Sequence, residues 1–222
     1  MEKYLDILKE APLFRGIENK DLPNMLSCLN AAIKSVPKNG YIFRIGEKIK
    51  YVALVIDGCV HIQSSDYWGN LNILNVIWPG DIFGEAYAAG AKATMINDAV
   101  AAKDSVILFI DIQRVLTVCP SACGFHSLLI SNLFSVLAEK NRNLASKLRH
   151  ITRRTTKEKL LSYLYEQEQR AGKAEFEIPF NRQQLADFLA VDRSAMSNEL
   201  SKMRDEGILE FSRNRFVLKN PE

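Results

Sequence analysis

The stretch NRQQLADFLAVDRSAMSNELSKMRDEGILEFSRNRFVL, residues 181–218, decides the fold of the carboxy-terminal part of the chain. Asn181 is a capping residue, and RQQLADFLA behind it has helical apolar spacing. Ala190-Val191-Asp192 makes a three-residue turn. Asp192 caps a second helix, RSAMSNELSKMRDE, which stops at Gly207. Ile208–Phe211 and Arg215–Leu218 form a short hairpin around Ser212-Arg213-Asn214, and Phe176, Ile178 and Phe180 alternate like a strand just upstream. A helix, a tight turn, a second helix and a hairpin make a winged helix-turn-helix.

The chemistry of the second helix separates an inner from an outer face. Leu185, Ala186 and Leu189 pack against Val191, Met196 and Leu200 and fix the angle between the helices, with the small Ala186 at their closest approach. Arg193, Ser194, Ser197 and Asn198 then lie outward, where side chains reach base edges in a major groove. Arginine suits guanine, asparagine pairs with adenine, and serine is permissive. The competing reading is a helical hairpin that packs on a protein. Small, base-matching outer residues favour double-stranded DNA.

Moving outward, Thr155-Thr156-Lys157-Glu158 has capping-box form and starts a helix that ends near Gly172. The break around 152–155 is the natural domain boundary. Before it, Ile130, Leu137, Leu144 and Ile151 recur every seven residues, and Phe134, Asn141 and Leu148 form a second heptad series offset by four. Together they make an a/d seam without Gly or Pro, which predicts a coiled-coil homodimer with Asn141 setting the register. The same pattern on one chain alone would be an amphipathic helix packed on its own domain.

Residues 31–112 have another texture. Short β-branched and aromatic runs (IKSV, YIFRI, YVALVIDG, CVHIQS, LNILNVI, IFGE, SVILFI) are separated by Gly, Pro, Asn and Asp. This predicts a small antiparallel barrel or sandwich. Gly40, Gly46, Gly58, Gly69 and Gly80 fall at strand ends, where backbone angles closed to other residues are expected. Residues 2–10 and 18–30 read as short helices joined at Pro12 and Gly16.

Composition limits the function classes. With 222 residues, 47% hydrophobic and 25% charged, the chain has room for two ordinary globular domains. No apolar run reaches the ~18 residues of a membrane span, and MEKYLDILKE is not a secretory signal. Cys28, Cys59, Cys119 and Cys123 are too sparse for a disulfide framework, so a cytoplasmic protein with reduced thiols is expected. Cys119 and Cys123 read as small buried or capping residues rather than a thiol or metal switch. No metal-spaced cluster, phosphate loop or catalytic set stands out, and His61, His126 and His150 are isolated in sequence. An enzyme is not expected.

The net charge of +3 is unevenly distributed. Residues 1–118 have a net charge of −1, whereas residues 140–159 hold eight basic side chains against Glu158 alone. Residues 181–222 are neutral, with seven of each sign. The non-specific attraction to phosphate must then come from outside the helix-turn-helix. The start of the helix at Thr156, with Lys157 and Lys159 beside it, is the expected place.

A glycine-punctuated roll containing PGDIFGEAYAAG (79–90), a long dimer helix, and VDRSAMSNELSKMRDEGIL (191–209) resemble the catabolite-activator / fumarate-nitrate regulator (Crp/Fnr) family of bacterial transcription factors. The resemblance covers nearly the whole chain. It implies an α+β architecture: an amino-terminal β-roll (jelly-roll) of cyclic-nucleotide-binding type over 1–118, a dimerisation helix over 119–152, and a winged helix-turn-helix over 153–222. It also implies a homodimer on a palindromic promoter site, with RNA polymerase as a further candidate partner. By position Arg193, Ser194, Ser197 and Asn198 correspond to base-reading residues. Thr156, Asn181 and Gln183 correspond to backbone-contacting ones, and Arg213 in the hairpin joins the expected phosphate contacts. Many members have arginine at the place of Asn198, so a different site preference is expected.

The effector implied by the resemblance is less direct. Members that bind cyclic AMP follow a Gly-Glu pair with an Arg-Ser pair that holds the cyclic phosphate. Gly84-Glu85 is present here, but residues 93–100 contain no arginine, and Asp98 adds a negative charge. An anion in a partly buried pocket without a paired cation is costly. The expected effector is therefore a small molecule other than cyclic AMP, held near Phe83, Gly84, Glu85, Tyr87, Met95 and Asn97. A constitutive regulator with a purely structural roll, and a ligand-binding module whose winged helix binds protein, are the alternatives. No cofactor or metal is assigned.

Overall fold

A computed structural model of the chain describes residues 4–65, 71–90, 92–117 and 125–219. Cys119, Cys123 and Gly69 lie outside the described residues. The chain divides into two compact units, Met1–Leu137 and Ala138–Glu222, and the long helix belongs to both.

In the first unit, α1 (Leu5–Glu10), a 3-10 turn (Pro12–Phe14) and α2 (Leu22–Cys28) precede the strands. The helix expected over 18–30 is shorter than that because Pro23 sits in the first turn of α2. Proline lacks an N–H and is accommodated there but not in a helix interior. Then come β1 (Ala32–Val36), β2 (Tyr41–Phe43), β3 (Tyr51–Asp57), β4 (Val60–Ser65), β5 (Leu71–Ile77), β6 (Ile82–Phe83), α3 (Glu85–Ala88), β7 (Asp98–Ala101), β8 (Ser105–Asp111) and α4 (Ile112–Leu116).

The strands make two antiparallel four-stranded sheets, ordered β1-β8-β3-β6 and β2-β7-β4-β5. Side-chain alternation explains the unbroken apolar run in β3. Ala53 and Val55 join Phe43, Val60, Phe83 and Ile107 between the sheets. Val52, Leu54 and Ile56 point the other way, onto Leu8, Phe14, Met25 and Leu26 of the amino-terminal helices. Both faces of β3 are therefore covered by apolar side chains.

Two glycines show different constraints at the strand ends. Gly58 has φ +99°, and a Cβ there would lie 2.1 Å from Ser105 Oγ. Gly40 departs from the expectation. Asn39 takes the left-handed conformation (φ 66°), while Gly40 is needed for room, since a Cβ would sit 2.7 Å from Val36 Cγ1.

α5 (Phe125–Ile151) begins in this unit. Leu129 and Leu133 are buried in the helix-side core, and Asn132 Nδ2 donates to the carbonyls of Leu13 and Arg15 at 3.1 and 2.8 Å.

The second unit contains the end of α5, then α6 (Thr156–Ala171), β9 (Glu175–Glu177), α7 (Arg182–Leu189), α8 (Arg193–Asp205), β10 (Leu209–Ser212) and β11 (Arg215–Leu218). The strands form one antiparallel sheet ordered β10-β11-β9. The hairpin turn is tighter than expected: Ser212 pairs with Arg215, and only Arg213 and Asn214 bridge the strands, with Arg213 at φ 53°. Leu160, Leu164, Leu185, Leu189, Met196, Leu200 and Phe216 make a single core. Among the described residues no helix is long and apolar enough to cross a membrane.

Candidate DNA-reading surface and effector pocket

Local capping positions the helix pair. Asn181 Oδ1 accepts the Gln184 N–H at 3.0 Å while Gln184 Oε1 accepts the Asn181 N–H at 2.9 Å, a complete capping box at α7. Asp192 Oδ1 accepts the Ala195 N–H at 2.8 Å and starts α8. Between them Ala190 is left-handed (φ 51°, ψ 59°), and Val191 N–H donates back to Ala186 at 3.0 Å. Leu185, Ala186, Leu189, Met196 and Leu200 are buried and Val191 packs against them, as the spacing implied.

The outer face of α8 carries Arg193, Ser194 and Asn198 exposed and Ser197 half-buried. Among the described residues Arg193, Ser194 and Asn198 have no polar side-chain partner, so their hydrogen-bonding capacity faces outward. Ser197 differs. Its hydroxyl donates to the Arg193 carbonyl four residues back, at 2.9 Å.

The phosphate candidates divide in the same way. Thr155 caps α6 and Glu158 closes the box, accepting from the Thr155 and Arg154 N–H groups, both at 3.1 Å. The Thr155 N–H, then that of Arg154, and the cation of Arg153 together hold the Glu158 carboxyl below its usual range. Thr156 is half-buried in the first turn. Lys157 Nζ meets Glu206 Oε2 at 2.5 Å. Lys159 Nζ donates to the carbonyls of Leu189 and Ala190 at 3.3 and 3.2 Å. Gln183 is exposed and donates to Asp187 at 2.8 Å. Arg213 is exposed at the tip of the hairpin.

Sequence reading missed two contacts of this unit. Arg182, next to the Asn181 cap, lies 4.7 Å from the Phe211 ring and 5.2 Å from Phe216, tying the start of α7 to the hairpin. Burial pushes its guanidinium down from the usual value.

The second is His150, which sequence reading left isolated. It is buried with Nδ1 2.8 Å from Ser162 Oγ and Nε2 3.1 Å from Glu166 Oε2. Glu166 also accepts from Ser146, Arg149 and Arg170. A carboxylate can only accept, so Nε2 carries the proton and Ser162 donates to Nδ1. Burial would raise the Glu166 carboxyl, but the Ser146 hydroxyl and the two arginines outweigh it and hold it down. The signal available was paired i, i+4 spacing, Ser146 with His150 and Ser162 with Glu166, on successive helices.

In the roll, the expected pocket residues do not form one kind of surface. Phe83 and Met95 are each 3% exposed and pack in the core between the sheets, where Phe83 meets Phe43 edge-on at 5.7 Å. Gly84 is left-handed (φ 83°) and starts α3, with Phe43 and Ile49 within 3.1 Å of where a Cβ would be. Glu85 is buried in the first turn of α3, and Tyr87 and Asn97 are half-buried. The Asp98 carboxylate accepts the Ile45 N–H at 2.8 Å, and Lys92 is exposed.

The heptad positions lie along one side of α5. Phe134, Leu144 and Leu148 are 72%, 62% and 57% exposed, Leu137 and Asn141 are exposed as well, and Ile130 is half-buried.

A roll of this type followed by a winged helix-turn-helix defines a regulator with an effector-type domain and a DNA-binding domain. Residues 33–121 match the cyclic nucleotide-binding domain model, and residues 158–222 match the Crp-like helix-turn-helix domain model, together more than two-thirds of the chain. The chain belongs to the Crp/Fnr family of transcription regulators. Among solved structures it is similar to FixK2 from Bradyrhizobium japonicum, with 23% identity over 86% of this chain and 93% of that one and a TM-score of 0.53. The catabolite activator protein of Thermus thermophilus has 21% identity over 94% of each chain and a TM-score of 0.51. CprK complexed with OCPA has 17% identity over 90% of this chain and 92% of that one, with a TM-score of 0.69. No curated protein matches in sequence.

Proposed function

We propose that the chain acts as a homodimer that reads a palindromic promoter site. Residues 1–118 serve as the effector-type domain, 119–152 as the dimerisation helix and 153–222 as the DNA-reading domain. Arg193, Ser194, Ser197 and Asn198 face the bases. Thr156, Asn181, Gln183 and Arg213, with Lys157, face the phosphates. The observation that carries this reading is the outer face of α8, where Arg193, Ser194 and Asn198 are exposed without polar side-chain partners above a fully apolar inner face. Two half-sites need two copies, and the exposed Phe134, Leu144 and Leu148 supply an apolar seam for them. Retention of specific fragments from a genomic library in a gel shift tests the reading. Loss of that retention in Arg193→Ala is the expected outcome, and retention unchanged by the substitution would refute it.

The effector is a small molecule other than cyclic AMP. The absence of arginine over 93–100, where the Asp98 carboxylate adds a negative charge, supports this. Calorimetry with cyclic AMP should show no micromolar binding. A second reading, a constitutive regulator with a structural roll, is favoured by the core burial of Phe83 and Met95, two of the expected pocket residues. DNA affinity that is the same before and after removal of copurifying small molecules would support it.

A further inference from the structure

The first turn of α6 reaches the ends of both helices of the helix-turn-helix. Lys157 Nζ lies 2.5 Å from the carboxylate of Glu206, the residue that caps the carboxy end of α8. Lys159 Nζ lies 3.3 and 3.2 Å from the carbonyls of Leu189 and Ala190, at the carboxy end of α7. The last carbonyls of a helix have no partner within it and bear its partial negative charge, so an ammonium is stabilised there. The Lys157 pair is largely exposed and contributes little. Lys159 makes a part-buried contact to the Leu189 carbonyl and an exposed one to that of Ala190, the most constrained residue of the turn.

That residue is Ala190, left-handed at φ 51° without being glycine. A left-handed alanine places its Cβ against its own carbonyl and persists only where its surroundings hold it. Its conformation sets the direction in which the chain leaves α7 and enters α8, and thereby the aim of Arg193 and Asn198. We infer that Lys159 is a positioning residue that clamps the α7–α8 turn through the Leu189 and Ala190 carbonyls, rather than a phosphate contact. This rests on the proposal that α8 reads DNA.

The test uses the full chain and two duplexes, one selected by the wild type from a random pool and one of unrelated sequence. Binding is followed by fluorescence anisotropy between about 50 and 200 mM salt, a range over which lost phosphate contacts show as a change of slope. Lys159→Met should weaken binding to the selected duplex by about tenfold, the usual scale of one lost discriminating contact. It should leave the affinity for the unrelated duplex and both salt slopes as in the wild type. Ala190→Gly, which removes the cost of the left-handed turn, should restore selected-duplex binding in the double variant. It also keeps the test usable if Lys159→Met alone does not fold. In the free protein, exchange of the Val191 amide should quicken in Lys159→Met and recover in the double variant.

A fall in slope of about 0.9 per protomer on both duplexes would make Lys159 a phosphate contact and overturn the inference. So would unchanged binding, unchanged Val191 exchange, or no rescue by Ala190→Gly. If the wild type does not distinguish the two duplexes, the DNA-reading proposal fails, and the exchange measurement still decides whether Lys159 clamps the turn.

Discussion

Ser197 and Asn198 are neighbours on α8 and differ in what they can offer a base. The single proton of Ser197 is directed to the Arg193 carbonyl, so toward DNA the hydroxyl is an acceptor only. Asn198 is exposed with a donor and an acceptor in one plane, the pair that matches adenine. Asn198→Ala should therefore lower discrimination at one position of each half-site by about 1–3 kcal/mol. Ser197→Ala should have a clearly smaller effect. A saturation screen of the half-site against both variants measures this directly. Spacing placed the four outer residues on one face, because side-chain direction on a helix follows from position alone. Spacing could not show that one of these four side chains, Ser197, was already engaged with its own helix backbone.

At the scale of elements, local chemistry was the readable part. The caps at Thr155, Asn181 and Asp192 involve residues three apart, and each was visible as a motif. The strands of the roll were visible as alternation and turn residues. What was hidden joins elements distant in sequence: Lys159 to Ala190, Arg182 to Phe211, His150 to Glu166. No periodicity encodes which side chain from one helix meets which carbonyl of another.

The His150 contact has a measurable consequence for acid stability. Burial lowers the pKa of this histidine, Glu166 raises it in part, and Arg149 and Arg170 lower it further. The folded form thus takes up its proton at lower pH than the unfolded chain, whose histidine titrates near 6.5. Stability from this site is present above that value and declines as pH falls below it. The depressed carboxyl of Glu166 acts in the same direction only at lower pH, as the medium passes below the ordinary carboxylate range. Thermal unfolding between about pH 7 and 5 should show a falling midpoint. His150→Gln should flatten that decline; an equally steep decline in the variant would exclude His150 as its source.

At the scale of the whole molecule the seam on α5 is an exposed apolar row among the described residues. Leu129 and Leu133 turn toward the first unit's own core, whereas Phe134, Leu144 and Leu148 do not. Heptad spacing marked Phe134, Leu144 and Leu148 but not Leu129 and Leu133, and the structure shows that these last two pack within the chain while the heptad residues stay exposed. Leu144→Lys with Leu148→Lys should give a monomer by sedimentation and abolish binding to a two-half-site duplex, while the winged helix keeps its fold. A dimeric double variant would contradict the assigned seam.

The seam also bears on how the regulator responds to its own abundance. If paired chains are the species that occupies promoters, occupancy at low expression grows with the square of chain concentration. Halving gene dosage then removes about three-quarters of the paired form at the dilute limit. Under the proposed pairing, thermal stability would rise with protein concentration for the same reason. The exposed row on α5 would then make the regulator a counter of its own copies.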